Sequence, residues 1–215
     1  SFLAFNKEIV ESLKNKVPIN VKVSTFHSAG YGALRYRFKN IKLDDKKMIT
    51  IYQTLSSKLS KDESAELMTP FLKLCGLVKN TCIVPTPENL DVLVDKYNVE
   101  IDTESNKLYE LVKQGIIMSN SMFDTIDFND MIYLSVILNL SFYKQDVLMV
   151  DETQDLNTAQ LRMLRMMINP NGFIVCVGDE NQSIYGFRGA DSEAISKIQK
   201  ELNAKVLPLM ETYRC

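Results

Sequence analysis

The stretch VLMVDETQD, residues 147–155, decides the fold class because a continuous apolar run ends abruptly in acidic residues. An apolar run without polar alternation is typical of a strand in a parallel sheet that is covered on both faces. Ligands of open α/β folds bind at the carboxyl ends of such strands. We therefore expect a parallel α/β sheet that carries Asp151 and Glu152 at its ligand-binding edge.

The acidic pair at this strand end has two interpretations. Hydrolysis of a nucleoside triphosphate needs a carboxylate that holds Mg²⁺ and a group that orients or deprotonates water. Asp151 facing the metal and Glu152 facing the water would divide these tasks. The same pair can equally cap the next helix, and this stretch alone favours that simpler interpretation.

A second strand end, at residues 173–179, is followed by a more specific loop, ENQSIYGFRGA. Gln182 is a neutral amide that can bond both a phosphate oxygen and a water. Tyr185, Phe187 and Arg188 suit stacking on unpaired bases and holding backbone phosphate. The two aromatic residues could instead form a small hydrophobic anchor within the loop.

The remaining α/β elements are expected on both sides of a helical region. Residues 2–5 and 21–28 each place a strand before a helix, and Ser24 or Thr25 can cap the second helix. Further along the chain we expect a helix over 123–140 with Phe128 on its apolar face, a strand over 146–150, a helix over 156–168 ended by NPNG, a strand over 173–179, a helix over 192–202 and a short strand over 205–209.

Residues 40–121 have a different texture, with amphipathic helical stretches separated by capping signals such as Asp44 and Pro87. No convincing strand pattern occurs there. The expected organisation is one α/β domain formed by residues 1–39 and 122–215, interrupted by an all-helical inserted domain over residues 40–121.

The composition excludes several classes of protein. The 215 residues carry a net charge of −2, so any nucleic-acid-binding surface has to be local. Four cysteines without a C-x-x-C pair, and one histidine, do not predict a zinc site or a disulfide framework. No apolar run approaches the roughly 18 residues of a membrane span. The first residue is not Met, so we expect a chain cut from a longer protein.

Six motifs occur in an order that resembles the UvrD/Rep-like branch of the superfamily 1 DNA helicases. They are LAFNK (3–7), STFHS (24–28), DFNDMI (127–132), VDETQD (150–155), GDENQSIYGFRGA (178–190) and ETYRC (211–215). The fifth is the most specific. The resemblance implies a RecA-like parallel sheet flanked by helices, with an all-helical inserted domain.

The resemblance also implies roles for the residues of the nucleotide site. Asp151 would ligate Mg²⁺, and Glu152 would be the general base for water. Gln182 would sense the γ-phosphate of ATP, and Arg214 would meet the charge of that phosphate. Tyr213 would stack on the adenine. The implied cofactors are therefore ATP and Mg²⁺.

The residues implied to contact single-stranded DNA come from three motifs. Those that would stack on bases or touch the strand are Phe5, Thr25, His27, Tyr185, Phe187 and Arg188. Phe187 stands where the family usually has Trp, and Cys215 where it usually has Ser. For His27, a packed structural role remains as open as a DNA contact.

No G-x-x-x-x-G-K-[ST] loop occurs in the sequence. We expect that loop before Ser1 and a second motor domain after Cys215. The leading hypothesis is part of an ATP-driven helicase or translocase that moves 3′–5′ on single-stranded DNA, with the isolated chain inactive as an ATPase.

Two other functions stay open at this stage. The chain could be a non-catalytic module that binds single-stranded DNA or a protein, and a metal nuclease using Asp151 and Asp155 is a more distant alternative. The expected partners of a helicase are ATP, single-stranded DNA and duplex junctions, with no membrane and unknown protein partners. Its expected location is the cytoplasm, with the nucleoid, in a bacterium or phage, and the nucleus in a eukaryote.

Overall fold

The computed structural model describes residues 1–101, 105–179, 182 and 194–208, with the backbone alone at Glu201. The elements are β1 (Phe2–Ala4), α1 (Lys7–Lys14), β2 (Val23–Thr25), α2 (Phe26–Arg37), β3 (Lys42–Leu43), α3 (Lys47–Leu55), α4 (Lys61–Thr81), α5 (Pro87–Tyr97), α6 (Ser105–Ser121), β4 (Thr125–Ile126), α7 (Asp130–Ile137), β5 (Gln145–Val150), α8 (Thr158–Met167), β6 (Ile168–Cys176) and α9 (Ala194–Leu202). Short 3-10 turns cover Ser56–Lys58 and Thr153–Asp155. None of the described helices is long and apolar enough to cross a membrane.

The main sheet has four parallel strands in the order β2-β1-β5-β6. Leu3 of β1 pairs with Ser24 on one side and Val150 on the other. Because all strands run in the same direction, the residues that follow β1, β2 and β5 meet at one edge of the sheet. The predicted parallel α/β fold is confirmed.

One face of this sheet carries the main core. Leu148 and Val150 of β5 are buried against apolar residues of α2, α7, α8 and α9. Successive strand residues point to opposite faces, so Val147 and Met149 lie on the other face, where they are exposed. The expectation that β5 is covered on both faces is therefore wrong for the part of the chain that the structure describes.

Helices α2 and α7 cross at very short distance, and Gly30 makes this possible. A Cβ atom added to Gly30 would lie 2.1 Å from the main-chain oxygen of Met131. Any other residue would therefore push the two helices apart.

The region of residues 40–121 forms its own core. Helices α3 to α6 contribute buried apolar residues that include Tyr52, Phe71, Leu74, Leu90, Leu108 and Val112. One element there was not expected, since the two-residue strand β3 pairs in parallel with β4 at Lys42 and Thr125. The division of the chain into two domains remains a prediction.

Three sequence-based boundaries are wrong. The helix expected over 123–140 begins only at Asp130, because Thr125–Ile126 pairs as β4 and a hydrogen-bonded turn follows it. The NPNG segment does not end α8, because β6 starts at Ile168 and NPNG lies in an irregular part of that strand. The described residues of the expected strand, 205–208, form no strand.

Candidate functional site

The acidic pair lies immediately after β5. Glu152 has a left-handed backbone, with φ 50° and ψ 47°, which is uncommon for a residue other than glycine. The backbone N–H of Glu152 donates to Asp151 Oδ1 at 3.0 Å. Strained backbone of this kind is concentrated at functional sites.

Gln154 joins the acidic pair to the end of the neighbouring strand. Its Nε2 donates to Glu152 Oε2 at 2.7 Å, and its Oε1 accepts from the Asp179 backbone N–H at 3.1 Å. The amide orientation follows from these partners, because the carboxylate needs a donor and the N–H needs an acceptor. With 3% exposure, Gln154 is a fixed bridge between the two strand ends.

The same network continues to the next predicted residue. Gln182 Nε2 donates to Asp179 Oδ2 at 2.7 Å, and the Gln182 backbone N–H donates to the Asp179 carbonyl at 3.0 Å. A hydrogen-bonded chain therefore runs Glu152–Gln154–Asp179–Gln182. We call it the glutamine relay. The sequence placed Glu152 and Gln182 at one sheet edge, but it did not identify Asp179 as the connection.

The two strand ends approach closely because Gly178 has no side chain. A Cβ added there would lie 2.6 Å from Gln154 Oε1 and 3.1 Å from the Thr153 backbone nitrogen. The Thr153 hydroxyl donates to the Val177 carbonyl at 2.7 Å, and so does the Thr153 backbone N–H at 3.0 Å. Glycine at position 178 is thus required by the geometry of the glutamine relay.

Asp155 is buried at the end of the 3-10 turn. Burial raises the pKa of its carboxyl, and the nearby charge of Glu152 raises it further. Its Oδ1 has no hydrogen-bond partner among the described residues. Among the residues that the structure describes, no group of three or more His, Cys, Asp or Glu side chains could hold a metal ion.

Two of the predicted DNA-contacting residues lie at strand ends, since Phe5 follows β1 and Thr25 is the last residue of β2. Phe5 is half-buried directly after β1. Thr25 caps α2, and its Oγ1 accepts from the Ser28 backbone N–H at 3.1 Å. The predicted capping role of Thr25 is confirmed, and its hydroxyl hydrogen remains a possible donor to another group.

His27 lies in the first turn of α2 and stacks on Phe128. The ring centroids are 3.8 Å apart, with 23° between the planes. Burial lowers the pKa of His27 to about 4, so the imidazole is neutral at pH 7. It cannot contribute a positive charge to a DNA phosphate there, and its contact with Phe128 is instead a neutral ring stack.

Phe128 is the residue of this face that the sequence assigned wrongly. It was expected on the apolar side of a helix, but it lies in the turn before α7 and is 52% exposed. The sequence signal that was available for this turn is an aromatic residue flanked by Asp127 and Asn129. The predicted residues Tyr185, Phe187, Arg188, Tyr213 and Arg214 lie outside the described residues.

The parallel sheet flanked by helices, with the acidic pair after β5, has the architecture of the RecA-like α/β domain that the motifs predicted. Comparison with protein families gives the narrower assignment. The family model for the UvrD/REP helicase N-terminal domain matches residues 5–203, and the chain belongs to this family.

Three individual relatives are similar to the chain over 89–97% of its length. DNA helicase II of Rickettsia typhi is 28% identical over 226 residues, which cover 97% of the chain and 33% of that protein. ATP-dependent DNA helicase Rep of Escherichia coli is 25% identical, with 97% of the chain and 32% of that protein covered. Rep of Buchnera aphidicola subsp. Schizaphis graminum is 26% identical, with 89% and 30% covered. The chain thus spans about a third of the length of these relatives.

Proposed function

We propose that the chain is part of an ATP-dependent DNA helicase or translocase that moves 3′–5′ on single-stranded DNA. The observation that carries this proposal is the glutamine relay, which connects the acidic end of β5 to Gln182 beyond β6. Relatives named as ATP-dependent DNA helicases support the same function. The direction of movement rests on the family resemblance alone.

Glu152 is suited to act on the attacking water. Gln154 occupies Glu152 Oε2, and the other carboxylate oxygen has no hydrogen-bond partner among the described residues. A general base has to be oriented before it can accept a proton, and the hydrogen bond from Gln154 supplies this orientation. The buried bridge thus holds the base while leaving one oxygen for water.

Asp151 would hold Mg²⁺ that arrives with ATP. Protein sites for Mg²⁺ commonly supply only one or two carboxylates, and phosphate oxygens and waters complete the coordination. One half-buried carboxylate at the strand end fits that donor set. Bound Mg²⁺ would neutralise charge on the transferred phosphate.

The glutamine relay offers a route from nucleotide to DNA. Gln182 and Asp179 are exposed, whereas Gln154 is buried between Asp179 and Glu152. A shift of Gln182 on contact with the γ-phosphate would therefore reach Glu152 through the three hydrogen bonds of the glutamine relay. The loop after Gln182 carries Tyr185, Phe187 and Arg188, which the family resemblance assigns to DNA.

Phe5, after β1, and the stacked rings of His27 and Phe128 would form the DNA face and bind single-stranded DNA by stacking. Aromatic side chains accept any base, because every base has a π-face. Stacking also suits a chain whose net charge of −2 gives no general attraction to phosphate. Duplex junctions are the corresponding partner of an unwinding enzyme.

The direction can be tested with the full-length protein and partial duplexes that carry either a 3′ or a 5′ single-stranded tail. We expect ATP-dependent unwinding of the 3′-tailed duplex and little unwinding of the 5′-tailed one. Preference for the 5′ tail would contradict the direction. Binding of both duplexes without unwinding or ATP hydrolysis would favour the second candidate, a non-catalytic DNA-binding module.

The isolated 215-residue chain should show no measurable ATP hydrolysis. Its sequence contains no glycine-rich loop with the lysine that contacts the β- and γ-phosphates. A phosphate-release assay with and without single-stranded DNA measures this directly. Robust Mg²⁺-dependent hydrolysis by the chain alone would overturn this part of the proposal.

A further inference from the structure

Four charged side chains are buried together between the helical region and the sheet domain. They are Lys47 of α3, Lys79 of α4, and Asp127 and Asp130 at the start of α7, and we call them the charge quartet. Lys47 and Lys79 are each 1% exposed, and Asp130 is completely buried. Two positive and two negative charges balance, as burial of charge requires.

The charge quartet is fully connected. Lys79 Nζ lies 2.5 Å from Asp127 Oδ2 and 2.7 Å from Asp130 Oδ1. Lys47 Nζ lies 2.7 Å from Asp130 Oδ2 and also donates to the Ser119 carbonyl of α6 at 2.9 Å. The attraction of the two carboxylates raises the pKa of Lys79 even though burial opposes it, so this lysine stays charged.

The two aspartates of the charge quartet also close a turn on each other. The Asp127 backbone N–H donates to Asp130 Oδ2 at 3.1 Å, and the Asp130 backbone N–H donates to Asp127 Oδ1 at 2.8 Å. Phe128 lies inside this turn. Its backbone is therefore fixed on both sides, while its ring extends outward onto His27.

We propose that the residues of the charge quartet are positioning residues, which act through the Asp127–Asp130 turn to hold Phe128 ready to stack on a base of single-stranded DNA. This inference rests on the proposed function. It gives the helical region a role at the DNA face without any contact of its own with DNA.

The physical reason is preorganisation. A ring that is already ordered loses little conformational entropy on binding, whereas a loosened turn has to be ordered by the ligand. The ion pairs are desolvated, so their geometry is strict, and neutralising one carboxylate leaves a lysine in excess. Loss of a single partner should therefore change the position of Phe128 as well as the stability of the chain.

A double-mutant cycle on the 215-residue chain tests this inference. Binding of a fluorescein-labelled oligo(dT) is measured by anisotropy for the unmodified chain, Asp127→Asn, Phe128→Ala and the double variant. Phe128→Ala should weaken binding about tenfold, which lies within the range of one base–aromatic stack. Asp127→Asn should weaken binding severalfold, and the double variant should bind no more weakly than Phe128→Ala.

A merely structural role of the charge quartet would give a different result. Asp127→Asn would then weaken binding by the same factor in the presence and absence of the Phe128 ring, and this additivity would overturn the inference. An unchanged affinity of Asp127→Asn would overturn it as well. Asp91→Asn is the matched control and should leave binding unchanged, because the amide oxygen can still accept from the Tyr109 hydroxyl.

A spectroscopic measurement covers the case in which Asp127→Asn fails to fold. The chain has no tryptophan, so Phe128→Trp introduces a single emission reporter at the stacked position. Asp127→Glu keeps the charge but lengthens the side chain, and in the Phe128→Trp background it should shift the emission to longer wavelength. An unshifted spectrum, with unchanged quenching by oligo(dT), would overturn the inference.

Different results would contradict the proposed function and the inference about Phe128. Absence of oligo(dT) binding by the unmodified, folded chain would count against the proposed DNA face and remove the inference with it. Binding that is insensitive to Phe128→Ala would leave the proposed function standing and overturn the inference alone.

Discussion

Replacing Lys79 with Met removes a buried positive charge from between two carboxylates while keeping a side chain of similar length. Lys79 is 1% exposed and lies within 2.7 Å of oxygens of both Asp127 and Asp130. Breaking a buried ion pair from one side costs about 3–5 kcal/mol, because the remaining charge has no partner. Lys79→Met should lower the free energy of unfolding by that amount, which is a large part of the roughly 5–15 kcal/mol that stabilises a typical domain.

The assay is thermal and urea unfolding of the 215-residue chain, followed by circular dichroism. At this chain length each kcal/mol shifts the midpoint by about 2–4 °C, so we expect a midpoint lower by about 6–20 °C. Lys107→Met is the matched control. It removes an exposed ion pair with Glu63, whose side chains are 43% and 47% exposed, and it should cost less than about 1 kcal/mol.

The double variant Lys79→Met/Asp127→Asn tests whether charge balance sets the stability of the charge quartet. It removes one charge of each sign and leaves Lys47 paired with Asp130, so the buried charge is balanced again. It should therefore be more stable than Lys79→Met alone. The reasoning is refuted if Lys79→Met stays within about 1 kcal/mol of the unmodified chain, or if the double variant loses the sum of both single losses.

Two further predictions concern His27 and Gly178. The pKa of His27 is about 4 in the folded chain and about 6.5 in the unfolded chain. The neutral imidazole therefore makes its full contribution to stability above pH 6.5, and this contribution is lost as the pH falls toward 4. In His27→Gln, the free energy of unfolding measured in urea should lose up to about 3 kcal/mol of its dependence on pH. An equal pH dependence of the variant and the unmodified chain would contradict the lowered pKa of His27. Gly178→Ala should cost about 1–3 kcal/mol and lower kcat for ATP in the full-length protein, because the new Cβ displaces Gln154. Gly32→Ala, where nothing lies within 4 Å of the added Cβ, is the control, and equal effects of both changes would contradict the account.

The sequence predicted the parts of the structure that depend on local pattern. The apolar run before Asp151 predicted a parallel strand, and Thr25 was recognised as a helix cap. Alternation between strands and helices then predicted the α/β class. These features could be predicted because hydrophobic periodicity and capping act over only a few residues.

The features that the sequence did not predict depend on contacts between distant residues. Helical periodicity continues through Phe128, but the turn closed by Asp127 and Asp130 overrides it, and Lys79 stabilises that turn from 48 positions away in the chain. The bridge from Gln154 to Asp179 likewise depends on how closely two strand ends approach. Local patterns contain no information about either distance.

The most direct test of the central claim is ATP hydrolysis by the full-length protein that contains this chain, with and without Glu152→Gln. We predict that the variant binds ATP with unchanged affinity but loses DNA-stimulated hydrolysis by about 10²-fold or more, as expected when a general base is removed. Glu66→Gln, an exposed change on α4, should hydrolyse ATP at the normal rate. Undiminished turnover by Glu152→Gln would contradict the assignment of this strand end as the hydrolytic site.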